Sequence, residues 1–167
     1  FEFKVAPYYA TKSKTAVGQF SFQYNQFFEE TNLQKIKYGL FGSTSDYDLG
    51  LSYQSFIPYV DFIFKRKTLR DATSESVRAK LTHINKEVAD GTTKTAQDNY
   101  SVFSLSYNYS NPDIIKEFRY SLSTEFAKNF SKASLDLRYR ALTAKDTQLD
   151  FRFFAGVFFN NKTKEDD

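Results

Sequence analysis

Two short runs of charge are the residues of this chain best placed to do chemistry: Asp136, Arg138 and Arg140 in one, Asp150 and Arg152 in the other. Each run repeats with a spacing of two, which puts its members on one side of an extended strand. If the two strands are neighbours, carboxylates and guanidiniums pair across them. Such a set lines a path for small solutes or binds an anionic one. The plainer alternative is a salt-bridge network that fills an interior. The single histidine, His83, has no cysteine and no second histidine to join it, so a solvated loop residue outweighs a metal ligand there. Asp48, Asp61 and Glu125 are acids that no spacing pairs. The sequence contains no H-E-x-x-H zinc helix, nucleophile elbow, P-loop or dinucleotide fingerprint. We therefore expect no catalytic, cofactor or metal residues in this chain, and a role that is physical rather than enzymatic.

What must position those charges is a series of strands, because the two-residue period runs from end to end. In Gln19–Asn25, Phe20, Phe22 and Tyr24 fall on one side while Gln19, Ser21, Gln23 and Asn25 fall on the other. The last segment repeats the theme, with Phe151 and Phe153 opposite Asp150 and Arg152. Nine such segments can be read. Pro7 interrupts the first, which argues for an edge or a bulge. Gly42 to Asp46 reads as a turn, followed by a strand over Tyr47–Gln54, a break at Pro58, and a fifth strand from Val60. The stretch 68–99 has no sustained period and reads as a long polar loop, of which Ser76 to Val88 could extend the neighbouring strands or form a short helix. Lys145-Asp146 is a turn, and the residues from Asn160 to Asp167 leave the last strand as a tail. One domain, 1–167, accounts for the whole chain.

The oily side of these strands requires either a packed core or lipid. The composition is 19% aromatic with no Trp, Cys or Met, and the net charge of +3 is too small to argue for nucleic acid. Without Met the chain is expected to begin downstream of a start codon, and its strand-like first residues do not read as a signal peptide. No apolar run is long enough for a transmembrane helix. A negative mean hydropathy is nevertheless compatible with barrel strands, which give only every second residue to lipid. The polar side mixes Ser, Gly and Gln with opposite charges, as a crowded wet lumen would. Tyr residues gather near segment ends (Tyr9, Tyr24, Tyr47, Tyr53, Tyr109, Tyr139), where a bilayer interface favours them.

These features predict an all-β, antiparallel up-and-down β-barrel of the outer-membrane type. Phe20, Phe22, Tyr24, Phe151 and Phe153 would face lipid, and Asp136, Arg138, Arg140, Asp150 and Arg152 a lumen. Nine is an odd number and bacterial single-chain barrels are even, so a partial barrel of about 8–10 strands, closed by the remainder of a parent, is expected. The runner-up is a soluble barrel or sandwich that holds a hydrophobic ligand inside. A third reading, an adhesion module, would place recognition in 68–99. Lys12, Lys14, Lys65, Arg66 and Lys67 fit lipid headgroups or solvated strand ends equally well. The glycosylation-like triplets at Asn108 and Asn161 carry no weight.

The run from Phe1 to Lys14 followed by Gly18, together with Lys35–Leu40 and Leu149–Phe158, resembles large Bacteroidetes outer-membrane proteins. In these, a gluzincin-type (aminopeptidase-like) zinc peptidase domain precedes a C-terminal β-barrel. The resemblance implies a barrel that anchors such a domain in a bacterial outer membrane and serves as a possible solute conduit. It transfers no catalytic residue to this chain.

Overall fold

The computed structural model describes residues 2–10, 15–47, 51–66, 72–90, 93–113, 115–144 and 147–161. They form β1 (Glu2–Ala10), β2 (Thr15–Phe27), β3 (Leu33–Tyr47), β4 (Leu51–Phe64), β5 (Ser74–Asp90), β6 (Thr93–Pro112), β7 (Lys116–Ala127), β8 (Phe130–Ala144) and β9 (Thr147–Asn161). Each strand pairs antiparallel with the next in sequence, giving one nine-stranded up-and-down sheet. The all-β meander expected from the alternation is therefore present. The sheet is open, with β1 and β9 at its edges. Pro7 lies on edge strand β1, opposite Gly18, where its missing N–H breaks no second ladder.

The middle of the chain differs from the sequence expectation. Most of 68–99 is not a loop: β5 takes up Ser74–Asp90 and pairs continuously with β6, which starts at Thr93. The reason is that Asn85, Lys86 and Glu87 are polar on both faces, with Lys86 and Asn85 on opposite sides. The alternation vanishes from the sequence while the backbone ladder persists. Gly42–Asp46 is not a turn but part of β3. Pro58 does not end a strand. It pairs with Leu40 of β3, and only the ladder to β5 is interrupted beside it. Of the strand expected over Tyr47–Gln54, Tyr47 ends β3, and Leu51–Gln54 join the strand from Val60 in one strand, β4, with 48–50 outside the described residues. Asn160 and Asn161, expected in the tail, belong to β9; the turn expected at Lys145-Asp146 and the rest of the tail lie outside the described residues, as do Lys12, Lys14, Asp48 and Lys67.

Directly opposed residues share a face, so the pairing register divides the sheet into two continuous sides. One row runs Tyr24, Tyr38, Val60, Ala79, Leu105, Thr124, Ala133 and Val157 across β2 to β9. Seven of those eight side chains carry a large apolar body or a methyl group alone, and we call this side the aromatic face. The other side carries Ser, Lys, Asp, Arg and Glu. It also carries several rings, among them Phe41 opposite Ser21, Tyr53 opposite Ser45 and Lys86, and Tyr59 opposite Gly39 and Lys80.

The apolar band crosses the aromatic face obliquely. On β2 its members are Phe20, Phe22 and Tyr24, so the row above meets its lower end. On β8 they are Ala133, Leu135, Leu137, Tyr139 and Ala141, and the same row meets the upper end. From Phe22 to Leu137 the band's centre slides about six residues in six strand steps, which at ~3.3 Å per residue and ~4.8 Å per strand is a tilt of about 35°.

Little is enclosed. Among the described residues Ala141, at 8% exposure, is the one buried hydrophobic side chain. The molecule exposes 12595 Å². A globular chain of this mass would expose about 8,500 Å².

Two glycines fix how neighbouring strands meet. A Cβ on Gly39 would land in the ring of Tyr59, which lies across it from β4. A Cβ on Gly42 would land in the ring of Phe20. Each ring covers bare backbone that any larger residue would lift it from. Gly39→Val is therefore expected to cost about 1–3 kcal/mol, measured by urea unfolding, and Tyr59→Ala in the same protein should recover part of the loss. Equal destabilisation with and without Tyr59 would show that the ring contact is irrelevant.

Candidate functional site

The polar face of β7, β8 and β9 gathers most of the fixed charge. Arg119 stands directly opposite Arg138, and Arg138 directly opposite Arg152, so three guanidiniums form a row across three strands. Like charges in opposed positions repel, and acids one step along the strands offset them. Toward one end, Glu117 stands opposite Arg140, which in turn faces Asp150. Toward the other, Asp136 lies between Ser121 and Phe154.

Ion pairs connect these positions. Arg152 donates from Nε and Nη2 to the two Asp136 carboxylate oxygens, at 3.0 Å each. Arg138 Nη2 donates to the same carboxylate at 3.1 Å. Arg140 lies 2.8 Å from Glu117, which also pairs with Arg119, and 3.5 Å from Asp150. Four guanidiniums thus share three carboxylates, leaving the set one positive charge in excess.

All five charges singled out from the sequence, Asp136, Arg138, Arg140, Asp150 and Arg152, come together here on one face. Glu117 and Arg119 complete the group. They keep the same spacing of two, but only the register of β7 against β8 reveals that they belong.

Two clefts flank the arginine row. One of about 270 Å³ is bordered by Ser74, Asn108, Ser121, Arg119, Arg138 and Asp136. The other, of about 260 Å³, is bordered by Glu117, Arg119, Arg138, Arg140, Asp150 and Arg152. Serine hydroxyls bridge the neighbouring strands of the polar face: Ser123 bonds the Ser134 hydroxyl at 2.7 Å, and Ser121 Oγ donates to the Asn108 amide Oδ1 at 2.8 Å.

A second polar centre lies on β4 and β5. Asp61 is 4% exposed, and Arg78 donates to both of its carboxylate oxygens, at 2.5 and 2.8 Å. The Arg78 guanidinium also lies 5.2 Å from the centre of the Tyr59 ring, the ring that covers Gly39. Sequence reasoning left Asp61 without a partner, because Arg78 sits in the stretch read as a loop.

The register places Phe20, Phe22, Tyr24, Phe151 and Phe153 together on the aromatic face, with Phe151 57% and Phe153 46% exposed. Near one border of the band, four rings of β6 and β7 cluster. Tyr109 and Tyr120 stack at 5.2 Å, with Tyr107 and Phe118 beside them. The Tyr107 hydroxyl donates to Glu75 at 2.7 Å. His83 is not in a loop. It lies on β5 on this same face, between Phe56 and Ser101, with Nδ1 2.8 Å from the Ser101 hydroxyl. Among the described residues no three potential metal ligands converge.

Compared with family models, curated proteins and solved structures, the chain matches none of them.

Proposed function

We propose that this chain is a segment of a bacterial outer-membrane β-barrel, serving as a membrane anchor and a conduit for small solutes. The observation that carries the reading is the aromatic face itself: continuous over nine strands, uncovered by protein, and crossed by an apolar band that runs about 35° off the perpendicular to the strands. Strands in membrane barrels tilt by ~35–45°, and a level slab of hydrocarbon then meets each successive strand about one residue further along. A soluble barrel or sandwich would cover its aromatics with its own second layer, and here Leu122, Phe126, Phe151 and Val157 are about half exposed or more. The tyrosine cluster at the band's border, with a hydroxyl paired to Glu75, suits a ring at the headgroup level.

In this reading the polar face lines a lumen, and the open edges of β1 and β9 are paired by further strands of the parent barrel. Unpaired backbone in hydrocarbon costs several kcal/mol per group, so an open edge there does not persist. Attachment to a zinc-peptidase-like domain rests on the strand resemblance alone. The adhesion reading has lost its premise, since most of 68–99 lies in the paired strands β5 and β6 rather than in a free loop.

The test is fractionation of the full-length protein. It is expected in the membrane pellet, released by detergent and not by high salt or carbonate. Recovery from the aqueous fraction without detergent would overturn the membrane reading.

A further inference from the structure

We propose that the row Arg119–Arg138–Arg152 is a binding site for a small oxyanion, a phosphate or a dicarboxylate, on the lumen side of the barrel. The inference rests on the membrane reading for its location and on the geometry of the row for its chemistry. A wall meant only to be filled by salt bridges would alternate its charges. This one sets three guanidiniums in directly opposed positions, which repel unless something negative lies among them. The acids nearby do not suffice, because Asp136 is divided between Arg138 and Arg152, and Glu117 between Arg119 and Arg140. Each guanidinium presents five N–H donors in a planar fork that matches a pair of oxygens, so donors remain after these shared contacts.

The space beside the row is suitable. Arg119 and Arg138 border both clefts, one hydroxyl-rich and the other charged. Each cleft, at about 260–270 Å³, admits a small solute and a few waters. The guanidiniums are about half exposed, so a solute reaches them without displacing protein. On the hydroxyl-rich side, Ser74, Ser121 and Asn108 supply neutral partners for oxygens that the arginines leave free. The charge excess makes the clefts attractive to anions. The fork geometry favours oxyanions over halides.

The experiment is calorimetric titration of the full-length protein in detergent micelles with inorganic phosphate, with succinate, and with chloride at matched ionic strength. Arg138→Gln is compared with wild type, and Arg152→Lys, which keeps the charge and loses the fork, with both. Far-ultraviolet circular dichroism and the heat-dependent gel mobility of folded barrels establish that each variant is folded. Phosphate or succinate should bind the wild type and bind Arg138→Gln about tenfold or more weakly, with Arg152→Lys intermediate. Whichever oxyanion binds tighter identifies the ligand class. If the folded wild type binds neither oxyanion, or binds chloride equally well, the proposal is overturned. A protein that partitions out of the membrane yet still binds phosphate through Arg138 would sink the membrane reading and leave the site standing.

Discussion

Replacing Leu122 by arginine is expected to cost about 2–4 kcal/mol of folding stability in a bilayer, measured by urea titration of the full-length protein in lipid vesicles. Leu122 is the central apolar residue of β7 on the aromatic face and is 49% exposed. In water, a surface residue so exposed tolerates arginine within about 0.5 kcal/mol, because the guanidinium simply hydrates. In hydrocarbon the same change strands a cation at the midplane. The two environments therefore differ by several-fold in predicted cost, with no change in the protein contacts. Phe118→Arg, at the end of the same band, should cost less than Leu122→Arg, since a longer side chain near the interface reaches headgroups and water. A flat profile of small costs along β7 would place this face in water.

The part of this architecture legible in the sequence is the part written in polarity. In the middle of β2 and β8 each step alternates, so Phe20, Phe22 and Tyr24, or Leu135, Leu137 and Tyr139, separate from their polar neighbours by inspection. β5 fails that inspection for a physical reason. From Asn85 to Glu87 it is polar on both sides, and a strand whose two faces meet similar surroundings carries no period to read. Pro58 misleads for a different reason: proline usually marks a strand end, yet here its ring lies in the apolar band and only one of its two ladders is interrupted. Tyr53 shows the limit of residue type. Its ring argues for the oily face, whereas its register partners Ser45 and Lys86 put it on the polar one.

The arginine row was half visible. Asp136, Arg138 and Arg140 declare one face of β8, and Asp150 and Arg152 one face of β9. That Arg119, Arg138 and Arg152 stand in a line is a property of register, and register depends on turn lengths and bulges that alternation does not encode. The β8–β9 pairing, for instance, carries irregularities at Ser131/Lys132 and Leu142/Ala144. Shifting it by one residue would turn the charges of β9 onto the aromatic face, so the bands of both strands jointly select the observed pairing.

The Asp61–Arg78 pair supports the second large effect, and its two halves should not be equivalent. Asp61 is 4% exposed, whereas the Arg78 side chain is half exposed. Arg78→Met removes the partner of a carboxylate that water barely reaches, which costs about 3–5 kcal/mol. Lys37, directly opposite Asp61 on β3, is a cation placed to offset this loss by swinging in. Asp61→Asn leaves a guanidinium that can still hydrate and rest on the Tyr59 ring, so a loss of about 1–2 kcal/mol is expected. Combining the two substitutions should be less damaging than Arg78→Met alone, because neither an unpaired acid nor an unpaired base is then left behind. The measurement is a double-mutant cycle by urea unfolding in detergent micelles, with Lys37→Met added as a third arm. If Asp61→Asn proved as costly as Arg78→Met, the carboxylate would not be the sequestered partner. The polar face at β4 and β5 would then be wet at Asp61, which the structure leaves 4% exposed.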